Sequence, residues 1–587
     1  MNDLAQGILN RINLVVNTSK GLAKMDEWLC KYTRLDERAF SFKDHEMQIE
    51  IVNDTNARQC VQKCSQVGLS ELSSRKALGI TAMTKGTHLL YVLPTRTFST
   101  KFSSSRVNPI IASSPMLRSM TSKTVNGSEL KQIGSSYFHM GGTSGSVTGA
   151  ISVPAKYVIQ DEVDFCDQKT LSTYESRLKH APEDQYGRKG TIIKFSTPTV
   201  PDFGINKDFA ASDQKHYNVI CEHCEHDFAP DYFKHIKIPD FNNPIISLTP
   251  EDIKRGEYNI MGAYMECPKC KGNLNNSLKM PERRHWVAKY PERIISGYQI
   301  HPWDVPEVNS IPSILMQLAG YESISDYYNF TVGIPWVDNE NSFNEERIRS
   351  DTPSEFIRES LDGGFVIGVD VGKTSHIAVG RVFNDGREEV NYLERYTVRG
   401  DNETLSKHIV TLARRYHAKC VVIDAAPDFT TALETIKELP LGTVYACEYT
   451  RNRGKSLESV NIPDKPELET DYVVKAYRTG TLQDLLKAHN NGRIFYFDEH
   501  TNEHTKKEIR ELTEHYNNTK KIKVTDSDGN TEEKFVNTGD DHYTHAMNYM
   551  RIAAKIAGTI STVNVPYRPS VKKFKHKAPY RPHTNLI

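Results

Sequence analysis

Five apolar runs in this chain end abruptly in acids, hydroxyls or proline, and no other feature limits the fold as much. LLYVLPT (89–95), YVIQDE (157–162) and TIIKFSTP (191–198) lie in the first half; FVIGVD (365–370) and CVVID (420–424) lie in the second. Short apolar runs bounded by polar residues, and alternating with helical stretches, read as strands of α/β domains with largely parallel sheets. In such sheets a ligand sits at the carboxyl ends of the strands. The polar tips of the first three runs are therefore expected to gather around one ligand.

A loop with phosphate-binding character precedes them. In VQKCSQVGLSE (61–71) a strand is expected over QCVQ, a turn over KCSQVGLSE (Lys63 to Glu71), and a helix over LSSRKALGITAMT. Backbone N–H groups at a helix N-terminus cradle phosphate whatever the side chains are. The loop comprises Lys63, Cys64, Ser65, Gln66, Val67, Gly68, Leu69 and Ser70. Leu69 stands where a nucleotide-binding loop usually has its lysine, so Lys63 is the candidate cation if the loop folds back. Ser70 and Asp161 are expected to hold Mg²⁺, with Glu162 polarising the attacking water. ATP with Mg²⁺ is the expected ligand. Asp161 and Glu162 also suit a merely solvated strand end.

The second half carries different chemistry. FVIGVD is followed by a strand (HIAVGRVF), an Asn384-Asp385-Gly386 hairpin turn and a third strand. An amphipathic helix (LSKHIVTLARRYHA), the strand CVVID, and a further helix and strand come next. This βββαβαβ order, with Asp370 on the first strand and Asp424 ending the fourth, is that of a ribonuclease-H-like domain. A third carboxylate comes from GDDHYTHAMNYMRIAAKIAG (539–558), as Asp541 or its neighbour Asp540. Three carboxylates suit two Mg²⁺ or Mn²⁺ ions about 4 Å apart, one activating water and one stabilising a leaving oxygen. Strand-end aspartates also cap helices. Glu394 and Asp428 lie near enough to be auxiliary ligands, or are surface acids.

Ten cysteines bring in the remaining motif. Cys221 and Cys224 (CEHC), with Cys267 and Cys270 (CPKC), form two Cys-x-x-Cys knuckles, the tetrahedral thiolate set of a structural Zn²⁺. His223 and His226 are alternative ligands. The knuckles are expected to clip a β-rich insertion.

An ATPase followed by a ribonuclease-H-like nuclease, with a four-cysteine clip between them, resembles the large terminase subunit of tailed bacteriophages, in particular its lambda-like branch. The resemblance runs from about residue 40 to 560. It implies a variant phosphate loop whose lysine stands first, as Lys63 does. It also implies the Asp161-Glu162 strand and a coupling motif at Ser196-Thr197-Pro198. WVAKYPERIISGYQIHPWDVP (286–306) is similar to the family's stretch after the knuckles. The nuclease ligands carry over as Asp370, Asp424 and Asp541. The family's Asp-His-x-x-Asp-Ala reads Asp541-His542-Tyr543-Thr544-His545-Ala546 here, with His545 in place of the second acid.

The implied fold is α/β: a P-loop (ASCE, RecA-like) ATPase domain with a zinc-ribbon-like insertion, then a ribonuclease-H-like nuclease. The implied function is a DNA-packaging motor that pumps double-stranded DNA into a procapsid and cuts concatemers. Its implied partners are the portal protein, a small terminase subunit and further copies in a ring. The expected layout is an N-terminal segment (1–45), the ATPase domain (46–330) containing the insertion (215–275), a linker (331–360), the nuclease domain (361–560) and a basic tail (561–587). That tail, YRPSVKKFKHKAPYRPH over 567–583, is a candidate portal contact or merely solubilising.

Composition fits this frame. A chain of 587 residues suggests two to four domains. The 74 basic and 74 acidic residues cancel, so nucleic acid must be met by local basic surface. There is no apolar run long enough for a bilayer and no export-signal layout, so no membrane association and a host-cytoplasmic setting are expected. The rival readings are an ATP-dependent helicase–nuclease, a zinc-ribbon DNA-binding adaptor with a decayed ATP site, and a nuclease alone.

Overall fold

The structure is a computed structural model. It describes residues 22, 24–144, 153–183, 185–350, 364–383, 387–398, 404–427, 429–450, 460–461, 472–496, 503–525 and 531–558. The expected turn at 384–386, Asp428, residues 1–21 and the tail from 559 lie outside them. The chain divides into two compact units. One runs through Asp338 and includes Lys520–Thr538; the other comprises Asn339–Thr519 and the chain from Gly539 onward.

The first unit is built on an eleven-stranded sheet. Its strands are β1 (Arg58–Lys63), β2 (His88–Leu93), β3 (Thr121–Asn126), β4 (Leu130–Ile133), β5 (Ser136–Gly142), β6 (Tyr157–Asp161), β7 (Thr191–Ser196), β8 (Lys215–Ile220), β9 (Asp227–Phe228), β10 (Arg284–Ala288) and β11 (Ser296–Ile300). They are ordered β9-β8-β11-β1-β7-β6-β2-β5-β4-β3, and β10 pairs with β8. From β8 to β5 every neighbouring pair is parallel. Antiparallel hairpins close both edges.

Period-two alternation sets the two faces of the sheet. Leu89, Tyr91 and Leu93 of β2 enter one core with Val61 and the helix α1 (Leu69–Met83), while Leu90 and Val92 enter another with Leu171 and Tyr174. The order β1-β7-β6-β2 puts the tips of β2, β6 and β7 side by side, with that of β1 next to β7, so the expected convergence of polar tips is present.

The second unit holds an eight-stranded sheet. Its strands are β12 (Phe365–Asp370), β13 (Ser375–Val382), β14 (Glu388–Tyr396), β15 (Cys420–Asp424), β16 (Val444–Thr450), β17 (Val460–Asn461), β18 (Val473–Tyr477) and β19 (Ile494–Phe495). They are ordered β17-β18-β16-β15-β12-β13-β14-β19. Strands β12 to β14 are an antiparallel meander, and β15 returns parallel to β12. Helices α2 (Leu405–Arg415) and α3 (Thr430–Glu438) fall where the sequence places them. The βββαβαβ order is borne out.

Helix α4 (His542–Ile556) packs on this sheet through two glycines. A Cβ on Gly368 of β12 would overlap the backbone nitrogen of Met550 and the carbonyl oxygen of Ala546; one on Gly380 of β13 would press on Met550. Only a bare backbone lets the helix lie that close. This contact brings Asp541, just before α4, to the strand end carrying Asp370.

One pair of strands leaves its neighbours in sequence. The hairpin β20 (Thr519–Thr525) and β21 (Thr531–Asn537) follows residues of the second unit, yet all but its first residue belongs to the first. Its Ile522 and Val536 form a buried cluster with Val200 and Phe203.

Candidate functional site

The phosphate loop leaves β1 at Lys63 and enters α1 through Gly68, whose φ of +72° is left-handed. Glycine adopts that conformation without steric cost. The loop is pinned at several points. Gln48 Nε2 donates to Val67 O at 2.7 Å, Cys64 N to Ile300 O at 3.1 Å, and Ser65 N to Phe330 O at 2.7 Å. The first N–H groups of α1, at Leu69 and Ser70, are the open donors of a helix N-terminus. Leu69 itself is core, 3% exposed, so its place in the loop serves packing.

Lys63, Asp161, Glu162, Ser196 and Thr197 meet at the strand tips. Lys63 Nζ lies 3.0 Å from Glu162 Oε1. The other oxygen, Oε2, accepts from Ser196 Oγ at 3.3 Å and Thr197 Oγ1 at 3.4 Å. Burial pulls the Lys63 ammonium down, but Glu162 and then Asp161 outweigh it and hold the pKa above the ordinary lysine value. Glu162 sits at a left-handed φ of 53°, a strained position for a non-glycine residue. Pro198 follows directly in the loop after β7.

Asp161 is buried at the tip of β6. Its Oδ2 accepts from Tyr91 Oη at 2.9 Å, and Tyr91 Oη lies 2.7 Å from Ser73 Oγ of α1. Its Oδ1 is buried without a partner. Burial first and Glu162 second raise its pKa to about 7. An orphaned carboxylate oxygen beside a phosphate loop fits a hydrated Mg²⁺, the group the loop implies.

At this site sequence reasoning missed two residues. Tyr91 was concealed in an apolar run. Asp164 follows Glu162 by two residues; its Oδ2 accepts from Thr199 N and Thr199 Oγ1, both at 2.8 Å, and its Oδ1 from Ile205 N at 2.7 Å. It fastens the segment after Pro198 to the strand end carrying Glu162. Its spacing in DEVDF was the available signal.

The insertion brings its four thiols together. Cys221 and Cys270 Sγ are 3.6 Å apart, and Cys224 and Cys267 Sγ are 3.8 Å apart. Sulfurs bound tetrahedrally to Zn²⁺ at about 2.3 Å would be about 3.8 Å apart, so the set fits that ion. The two knuckles repeat each other. Cys221 N bonds His226 O and Cys267 N bonds Gly272 O, with Glu225 and Lys271 left-handed between them. The histidines do not join them: His223 Nε2 faces Asn273 O, and His226 stacks on Phe228.

In the second unit Asp370 and Asp424 end neighbouring parallel strands and line a cleft of about 430 Å³ with Arg478 and His545. His542 Nδ1 lies 2.9 Å from Asp370 Oδ2. Burial first, then Asp370, raises Asp424 to about 6. Asp541 faces another way: its Oδ2 meets His545 Nε2 at 3.1 Å and Arg478 at 4.0 Å. Burial would raise its pKa, but His545 and Arg478 outweigh that and hold it below the ordinary value.

The three carboxylates are therefore neighbours that do not close on a single point. Among the described residues, the close ligand groups here are Asp370–His376–His542 and His376–Glu511–His515. His545, standing where the family pattern has an acid, takes up Asp541 and hydrogen-bonds Tyr449 Oη at 3.1 Å. Asp540 lines a separate cleft with Arg395 and Lys506. Glu394 is tied to His408 Nε2 at 2.7 Å. The set Asp370, Asp424 and Asp541 suits hard divalent ions by donor chemistry. An ion at Asp424 must displace a proton, so affinity there should weaken as pH falls through about 6 and level off above it. Mn²⁺ titrations between about pH 5 and 8 would check this.

Residues 44–286, which span the phosphate loop, the Asp161-Glu162 strand, Ser196-Thr197-Pro198 and the cysteine knuckles, match the family model described as phage terminase large subunit gpA, ATPase domain. That segment is similar to the ATPase domain of phage terminase large subunits. No curated protein matches. Among solved structures, the HK97 bacteriophage large terminase is 10% identical with a TM-score of 0.46, over 91% of this chain and 99% of that one. A large terminase from a thermophilic bacteriophage is 11% identical at 0.29, over 86% and 94%. The Thermus phage P74-26 ATPase domain is 15% identical at 0.28, over 50% and 97%. At such scores these likenesses carry no weight of their own; the matched ATPase segment carries the family likeness. Among the described residues, no helix is long and apolar enough to cross a membrane.

Proposed function

We propose that this chain is a terminase large subunit, the motor and the nuclease of a viral DNA-packaging machine of the lambda-like branch. One observation carries the motor reading: a single carboxylate, Glu162, holds Lys63 with one oxygen and the hydroxyls of Ser196 and Thr197 with the other. ATP entering the loop offers Lys63 new partners in its β and γ phosphates. Glu162 is then free to orient water, and Ser196 and Thr197 lose or regain their acceptor as it turns. Asp164 passes that shift to Thr199 and Ile205. Bound Mg²⁺ would neutralise phosphate charge beside Asp161.

Asp370, Asp424 and Asp541 are the nuclease ligands for two Mg²⁺ or Mn²⁺ ions, which would supply an activated water and a stabilised leaving oxygen. Zn²⁺ at the four cysteines is structural; Cys267→Ser should abolish bound zinc by metal analysis and lower the melting temperature of the first unit. The partners are double-stranded DNA, a small terminase subunit, the portal of the procapsid and further copies of this chain in a ring, working in the host cytoplasm.

The test is a defined packaging assay with purified procapsid. Lys63→Ala should package nothing. Asp370→Ala should package pre-cut DNA and fail on concatemers. Strand displacement by the wild type, or packaging by Lys63→Ala, would refute the motor reading.

A further inference from the structure

From Leu72 to Ser128 the chain has no Asp or Glu, although it carries 74 of them in 587 residues; the same stretch holds eight lysines and arginines. In a chain of zero formal charge this is a local basic field. Some of it is spent internally, since Arg75 pairs with Glu71 at 2.7 Å and Lys76 is buried against backbone carbonyls. The remainder concentrates on the excursion between β2 and β3. There Arg96, Lys101, Arg106 and Arg118 are exposed, and Lys123 is exposed on β3 itself. Arg96 also holds Glu129, with Nη2 donating to Oε2 at 3.0 Å.

The excursion is rigidly mounted. It is a helix at Arg96–Phe102, a π-helical turn at Ser103–Val107, and short helices at Asn108–Ser113 and Pro115–Met120. Phe102, Val107, Ile110, Ile111 and Leu117 are buried in the main core of the unit. Outside that core the segment exposes the cations together with Ser104, Ser105, Asn108 and Ser119. Cations interspersed with hydroxyls and amides are the side chains that contact nucleic-acid phosphates. The excursion also starts at the carboxyl end of β2, beside the strand that carries Asp161. Arg106 Nη1 reaches Glu71 Oε2 at 3.4 Å, one residue past Ser70 of the phosphate loop.

We propose that this face, Arg96 to Lys123, is the surface on which the ATPase unit grips the phosphate backbone of duplex DNA. Resting on the motor reading above, it also supplies a route for coupling: phosphate at Arg106 competes with Glu71, at the start of the helix behind the loop.

The test uses the full chain carrying Lys101→Ala, Arg118→Ala and Lys123→Ala, with binding of a short duplex measured in EDTA to prevent cleavage. Across about 50 to 200 mM salt, the slope of log affinity against log salt should become shallower by about 2 to 3. DNA-stimulated ATP hydrolysis should be lost and DNA-free hydrolysis kept, with an unchanged melting temperature. Lys123→Glu alone should shift binding in the same direction. An unchanged slope would overturn the proposal. So would normal binding by this variant beside a loss in Lys572→Ala/Lys573→Ala/Lys575→Ala of the tail. A wild type that binds DNA through this face yet hydrolyses no ATP would refute the motor reading and leave the surface standing.

Discussion

Glu162→Gln should cut ATP turnover by about 10³-fold, the range lost when a general base is removed. Nucleotide binding and fold should stay nearly intact. Glutamine keeps the length of the side chain, so its carbonyl oxygen still reaches Lys63, 3.0 Å away in the wild type. Its amide then faces Ser196 and Thr197, whose hydroxyls rotate to accept. What is lost is basicity and charge. Lys63→Ala makes the contrast, because it leaves Asp161 and Glu162 facing each other without a counter-charge and should weaken nucleotide binding itself. Steady-state hydrolysis and fluorescent-nucleotide binding, measured together, separate the two. Full turnover by Glu162→Gln would remove Glu162 from its assigned role.

Gly368→Ala should be the most damaging small substitution in the second unit. The added methyl meets backbone atoms of α4 at Met550 and Ala546, which cannot rotate aside as a side chain would. The helix must lift or the strand must bend, at about 3 kcal/mol or more. Lifting α4 also moves Asp541 away from Asp370 and Asp424, so metal-dependent cleavage should disappear. Gly320→Ala is the control: nothing lies within 4 Å of its built Cβ, and its effect should stay within about 0.5 kcal/mol. Denaturant unfolding and a cleavage assay read both effects, with ATP hydrolysis as an internal reference.

What could be read in the sequence was what repeats along the chain. Apolar strands ending in acids announced both sheets, and paired knuckles announced the thiol cluster, because each is a local pattern. Tyr91 could not be read, since a hydroxyl inside an apolar run looks like core until the strand order brings it to Asp161. Asp164 was equally silent: its partners Thr199 and Ile205 are 35 and 41 residues away. Around Asp370 the histidines were illegible for the same reason. His376, His515 and His542 come from a strand and two helices, and only the tertiary fold stacks His376 on His542 at 4.8 Å.

The hairpin β20–β21 has a consequence for anyone dividing this molecule. The backbone passes from one unit to the other three times, at 338–339, 519–520 and 538–539. No single cut yields two finished pieces. A fragment stopped at Asp338 would lack Ile522 and Val536, leaving Val200 and Phe203 bare a few residues beyond Pro198. An ATPase module transplanted into a relative would need residues 520–538 grafted along with it. In this chain the motor is a discontinuous module, completed only after most of the nuclease sequence has been synthesised.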